Sequence, residues 1–431
     1  MTDSPCFRPL TAGARALTLP ADRFKTARLT AALLLPLSEK DASARALLPF
    51  LLRRGCAAYP DFTSLNRRLN ELYGARVSAE VARIGETQAL VLTAVSLDDR
   101  YALEKEAVTA ECAALLRSML FEPALESGLF RLSDVEQERR MLTELIESEI
   151  NDKRLYARRR CEELTCEGEP FSIDRYGRAE EVMALTPQSM TAVWREALEQ
   201  SRLLLITQSG RDTAADSLAD GLKGLPCRSP RPLEAVPAPR GKKGVRRVTE
   251  RMDLAQAKLV MGFVTPVAES RSAPEEVAAM RLMNALLGGT PHSLLFRNVR
   301  EKLSLCYYCA SSFDRHKGVF LIDSGVEEQC AAKAEEEILR QLDCVRRGDF
   351  TQEDLEAARR SVVSQFRTLG DLQSTLAGWY LGQANRDIPL SPEAAAAEIA
   401  AVSAEQVRKA AESLTFDTVY LLAGQDKSGQ A

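Results

Sequence analysis

The sequence predicts an α+β protein of two similar domains, each an antiparallel sheet with helices packed on one face. Three observations carry that prediction. Landmarks of the first half recur in the second, so that Ala27 answers to Ala257, 230 residues further on. Strands and helices do not alternate one for one, as a parallel βαβ fold demands. Between the halves, residues 224–243 contain Pro226, Pro230, Pro232, Pro237 and Pro239, a density that forbids regular helix and favours an extended linker. The organisation expected is a first domain over 1–223, the linker over 224–243, and a second domain over 244–431.

Each element has its own reason. Ala27-Arg28-Leu29 through Pro36-Leu37 is a β-leaning run stopped by proline, and Ala257-Lys258-Leu259 through Pro266-Val267 is its counterpart. A helical pattern follows each, Ala42 to Arg53 and Pro274 to Leu287. At the same offset, Leu65 to Ala79 answers to Leu295 to Cys309. Ser133 with Glu136 offers a capping box for a long helix through Met141, Leu145 and Ile150. Thr186 followed by Pro187 opens the next helix. Each half then closes on a short apolar strand ending in glycine, at Gly210 and Gly424.

The 431-residue chain carries a net charge of -4, which gives no reason to expect nucleic acid or an anionic membrane as partner. Arg240, Lys242, Lys243, Arg246 and Arg247 follow the linker without aromatic residues for stacking, so they read as a solvated end. The start lacks a basic region followed by an apolar one, and the longest apolar run, Leu29 to Leu37, is strand-sized; the expected location is the cytoplasm. Of ten cysteines, only Cys306 with Cys309 and Cys161 with Cys166 stand close. No second ligand pair accompanies either, and alternation along a strand should turn Cys306 away from Cys309, so buried reduced thiols are expected. The only histidines, His292 and His316, lack metal-ligand spacing.

The stretch G-G-T-P-H-S-L-L-F-R-N-V-R-E-K-L-S-L-C-Y-Y, from Gly288 to Tyr308, holds the sharpest signal. It resembles the second-half motif of the pitrilysin/insulinase zinc peptidases, with Arg300 seven residues before Tyr307. Phe24-Lys25-Thr26, Leu72-Tyr73-Gly74-Ala75, Asn151-Asp152-Lys153, Tyr176-Gly177 and Gln256-Ala257-Lys258-Leu259 extend the resemblance over nearly the whole chain. As a set they are similar to a zinc-less bacterial subgroup associated with 5-aminopentanol modification of elongation factor P.

Active members of that family carry H-x-x-E-H on a helix of the first half and a further glutamate downstream. Two imidazoles one turn apart hold zinc, the carboxylate between them takes a proton from the metal-bound water, and the later glutamate completes the site. Counting back from Gly55 places the motif at Ala46 to Phe50, where Ala46 and Phe50 replace the histidines and Pro49 replaces the base. Glu144 falls at the place of the downstream ligand, and alone it cannot hold zinc.

The resemblance therefore implies a chain with no cofactor of its own. It would be a non-catalytic subunit that supplies Arg300 and Tyr307 to a peptide substrate, while a sister insulinase-like subunit with an intact motif holds the zinc. The competing expectation is a peptidase-fold scaffold with no catalytic contribution.

Overall fold

The computed structural model describes residues 5–209 and 228–425, so Gly210 and the first residues of the expected linker, 224–227, lie outside the described residues. The chain forms two compact units.

The first unit is Met1–Glu147, Ile173–Glu234 and Gly370–Ser391. Its sheet contains β1 (Arg8–Thr11), β2 (Ala14–Leu19), β3 (Thr26–Pro36), β4 (Arg76–Ile84) and β5 (Thr87–Leu97). A hairpin of β6 (Leu125–Glu126) and β7 (Leu129–Phe130) stands apart, and β8 (Arg202–Gln208) completes the sheet in the order β1-β2-β8-β3-β5-β4. Its helices are α1 (Ala42–Leu52), α2 (Phe62–Glu71), α3 (Val108–Phe121) and α4 (Leu132–Ser148), the last of which ends at the unit boundary.

The second unit is Ser148–Ser172, Ala235–Leu369 and Pro392–Ala431. It begins with α5 (Lys153–Thr165); α6 (Ala179–Met183) and α7 (Pro187–Gln200) return to the first unit. Its sheet contains β9 (Arg246–Met252), β10 (Ala257–Val264), β11 (Cys306–Asp314), β12 (Val319–Val326) and β13 (Thr415–Gly424), in the order β11-β12-β10-β13-β9. Its further helices include α8 (Pro274–Asn284), α9 (Ala331–Arg347) and α10 (Gln352–Thr368). Residues 228–243, the described part of the expected linker, form neither helix nor strand.

Apart from the extra edge strand β1, the two sheets share one strand order when β4, β5, β3, β8 and β2 are matched to β11, β12, β10, β13 and β9. The pairing senses agree as well. Four strands run antiparallel to their neighbours, and the fifth, β2 or β9, joins its sheet in parallel. The α+β plan of two like domains holds.

Three details differ from expectation. Each sheet has one parallel pair, because the strand that opens each half lies beside the strand that closes it. The second sheet is also covered by helix on its second face. Ala157, Cys161 and Leu164 of α5 pack on Val260, Leu321, Tyr420 and Leu422 of the second sheet. In return α11 (Gln373–Leu381) lies with the first unit, where Gln373 bonds Thr26 through its amide oxygen and nitrogen, both at 2.8 Å. The compact units therefore depart from the continuous ranges 1–223 and 244–431. The physical reason is the near-unbroken burial of β3 from Leu29 to Leu35 and of all of β12, strands that need cover on both sides. Finally, α4 starts at Leu132, so Ser133 lies inside its first turn and is no cap. Thr186 does cap α7, its hydroxyl accepting from the Ser189 N–H at 3.2 Å.

Candidate functional site

The segment bearing Arg300 and Tyr307 lies wholly in the second unit. Helix α8 runs on into a π turn at Ala285–Gly289, and a second π turn spans Phe296–Lys302. Gly288 is there for space: a Cβ on it would lie 2.7 Å from the Ser311 backbone nitrogen and 2.8 Å from Leu295. The bare backbone lets β11 approach, and the Ser311 hydroxyl donates to Asn284 Oδ1 at 2.7 Å. Thus the paired glycines position the strand that carries Tyr307.

Arg300 projects from the second π turn and is exposed. Its guanidinium lies 4.4 Å from the ring centre of Phe296, four residues earlier, a stack that orients it while leaving its N–H groups available. No carboxylate pairs with it among the described residues. Strand β11 is a sheet edge, paired only to β12. Its register slips at one point: Cys306 faces Val326 and Tyr308 faces Gly325, leaving Tyr307 as the extra residue of a bulge. Tyr307 is 62% exposed. Tyr308 instead lies over Gly325, where a Cβ would come within 2.5 Å of its ring. The two tyrosines have different surroundings, Tyr307 meeting solvent and Tyr308 lying against Gly325 and Arg154.

The same bulge overturns the expectation that Cys306 turns away from Cys309, although both are free, buried thiols as expected. Because the register slips by one residue, Cys306 and Cys309 fall on the same face, beside Ser324. Hydrogen bonding from the Cys309 thiol, aided by Ser324 and the charge of Arg300, holds the Cys306 thiol down to about 7. The hydrogen bond to Cys306, and then burial, push the Cys309 thiol up.

The degenerate zinc positions lie in the first unit, on α1. Ala46 is fully buried in the core, Pro49 sits inside the helix, and half-buried Phe50 packs against the same core. These side chains offer no lone pair to a cation, so zinc does not fit here. Glu144 is exposed on α4. The buried carboxylate of that helix is Glu138, 2% exposed, with Arg54 at 3.4 Å. Burial pushes its carboxyl above the ordinary glutamate value. Sequence reasoning passed over Glu138 and Arg54; the signal available was Arg53-Arg54 directly after a buried helix. Among the described residues no three His, Cys, Asp or Glu side chains converge as a metal site. His292 is exposed, whereas His316 is half-buried 3.7 Å from Glu269, which also pairs with Arg281 at 2.7 Å and Arg315 at 2.8 Å. The histidines have no common ligand role.

Comparison with known proteins agrees with this architecture. Residues 185–362 match the family model described as the peptidase M16 inactive domain. The Bacillus subtilis (strain 168) protein named probable inactive metalloprotease YmfF is 28% identical over 416 residues, covering 96% of each chain. A conserved protein from Enterococcus faecalis V583 superposes with a TM-score of 0.89 at 24% identity, covering 99% of this chain and 100% of that one. The peptidase M16 inactive domain from Pseudomonas fluorescens does so with a TM-score of 0.76 at 17% identity, over 97% and 98%. Residues 185–362 thus carry the likeness to the M16 inactive domain, and the chain as a whole shares the fold of M16-like structures. Among the described residues, no helix is long and apolar enough to cross a membrane.

Proposed function

We propose that this chain is a non-catalytic, substrate-positioning subunit of a zinc metallopeptidase whose metal is held by a sister chain. One observation carries the reading: Arg300 and Tyr307 stand exposed at the bulged end of an edge strand, with Arg300 free of any carboxylate among the described residues. An exposed edge accepts a peptide as an added strand, which presents its carbonyls in a fixed row. Arg300 donates as a permanent cation and Tyr307 as a neutral hydroxyl, and both can serve a carbonyl oxygen as it gains negative charge. The name of the Bacillus subtilis relative agrees with a chain that does not hydrolyse peptides alone. A link to elongation factor P modification rests on the sequence resemblance, as does a cytoplasmic location.

The test is co-purification from the native cell followed by reconstitution. An H-x-x-E-H sister chain should come down in equal amount, and peptide hydrolysis should require both chains. Recovery of this chain alone, or full activity of the sister without it, would sink the proposal.

A further inference from the structure

The face of the second sheet opposite the Cys306–Cys309 pair carries a constellation of a different kind. One row across the sheet reads Lys258 on β10, Gly325 on β12 and Tyr308 on β11, after which the edge is open. Gly325 leaves a clearing, and the Tyr308 ring fills it. The Arg154 guanidinium, from the first turn of α5, lies 4.2 Å from the centre of that ring, and the Lys258 ammonium lies 5.6 Å from it.

The charges around this ring are not balanced. Arg154 and Arg158 both bind Asp323, Arg154 at 2.6 Å, and Arg158 also reaches Ser312 at 2.7 Å. Asp152 is occupied in capping α5. Lys258 has no carboxylate within salt-bridge distance among the described residues; its ammonium donates to neutral Gln256 at 2.6 Å. Partial burial and the charge of Arg154 push its pKa down, so the bare cation is disfavoured where it stands. The Tyr308 hydroxyl is buried and has no hydrogen-bond partner among the described residues. Two donors without strong acceptors thus stand on one face of the sheet beside its open edge, and an anion brought to that edge would satisfy both.

We infer that Lys258 and Tyr308, backed by Arg154, form a subsite for a side-chain carboxylate of an acidic peptide. The inference rests on the proposed use of the β11 edge for strand addition. An added strand places alternate side chains on each face, so every second residue would lie on the face of Tyr308 while the other face meets neither Lys258 nor Arg154. One ammonium and one hydroxyl match the two oxygens of a single carboxylate. The edge would then prefer peptides with Glu or Asp at every second position.

Fluorescence anisotropy on the purified full chain tests this with two labelled peptides, one alternating Glu with Val and one alternating Gln with Val. The Glu peptide should bind about tenfold more tightly. Lys258→Gln and Tyr308→Phe should each bring it to the level of the Gln peptide, with circular dichroism and the thermal midpoint confirming that both variants fold. Arg300→Ala should weaken both peptides alike. If Arg300→Ala changes neither peptide, the role given to Arg300 falls while the acid preference stands. Equal binding of the two peptides, an undiminished preference in Lys258→Gln, or no binding of the Glu peptide at millimolar concentration would overturn the inference.

Discussion

Arg54 places its guanidinium 3.4 Å from the carboxylate of Glu138 and 3.0 Å from that of Asp134, so one cation serves two acids on α4. Arg54→Ala leaves Glu138 buried without its partner. The expected loss is about 2 kcal/mol, below the range for a fully buried pair because Arg54 keeps some contact with water. Urea unfolding reads it directly. The pH dependence has a definite sign. Burial raises the folded-state pKa of Glu138 above 4.5, so its stabilising contribution is complete at low pH and is lost as pH rises through the folded value. Glu138→Gln should therefore gain stability relative to the parent between pH 4.5 and neutrality.

For the reconstituted pair, Arg300→Ala or Tyr307→Phe should lower turnover by about 10²–10³-fold without disturbing assembly. Arg300→Lys should rescue poorly, since an ammonium lacks the planar fork of a guanidinium. Turnover measured on intact heterodimer, isolated by gel filtration, gives the answer. Full activity in both variants would make the motif structural and give the lead to a scaffold role.

Cys306 should alkylate with a pH profile centred at about 7, followed by mass spectrometry of iodoacetamide-treated protein. Cys309→Ser or Arg300→Ala should shift that profile upward, Cys309→Ser more strongly if the sulfur donor is lost. A midpoint near the ordinary thiol value in the parent would contradict the shared face described for the two thiols.

His316 is held neutral. Burial first, then Arg315, pushes its pKa below 6.5, with Asp314 and Glu269 opposing and Arg281 adding to the depression. Stability from this group is complete above pH 6.5 and is lost as pH falls through the folded value. His316→Gln should flatten the stability profile just below pH 6.5. An unchanged slope would mean that the imidazole titrates in an ordinary environment.

The purified chain should carry no stoichiometric zinc by elemental analysis after a chelator wash. Restoring the motif should not be a simple repair. Ala46→His adds an imidazole at a fully buried position and should cost about 1–3 kcal/mol by overpacking. About one zinc retained per chain would overturn this account.

Much of the fold was legible because both halves obey the same local rules. The proline-stopped runs became β3 and β10, and Thr186 with Pro187 opened α7 as read. The exchange of α5 and α11 was not legible, although the run from Leu29 to Leu35, apolar but for Thr30, held the clue that β3 is covered on both faces. Arg300 and Tyr307 could be singled out by spacing, but the shared face of Cys306 and Cys309 could not. It depends on one unpaired residue in a ladder, and no periodicity in the sequence announces a bulge. Glu138 was hidden because burial of a carboxylate is decided by Arg54, distant in sequence.

The crossed allegiance of residues 148–172 and 370–391 also bears on the order of events at the ribosome. The first unit cannot close until its last segment, Gly370–Ser391, has been made. Meanwhile α5 emerges long before the sheet on which it rests. Synthesis from the N-terminus thus leaves each sheet with one apolar face waiting, and the two units must reach completion almost together.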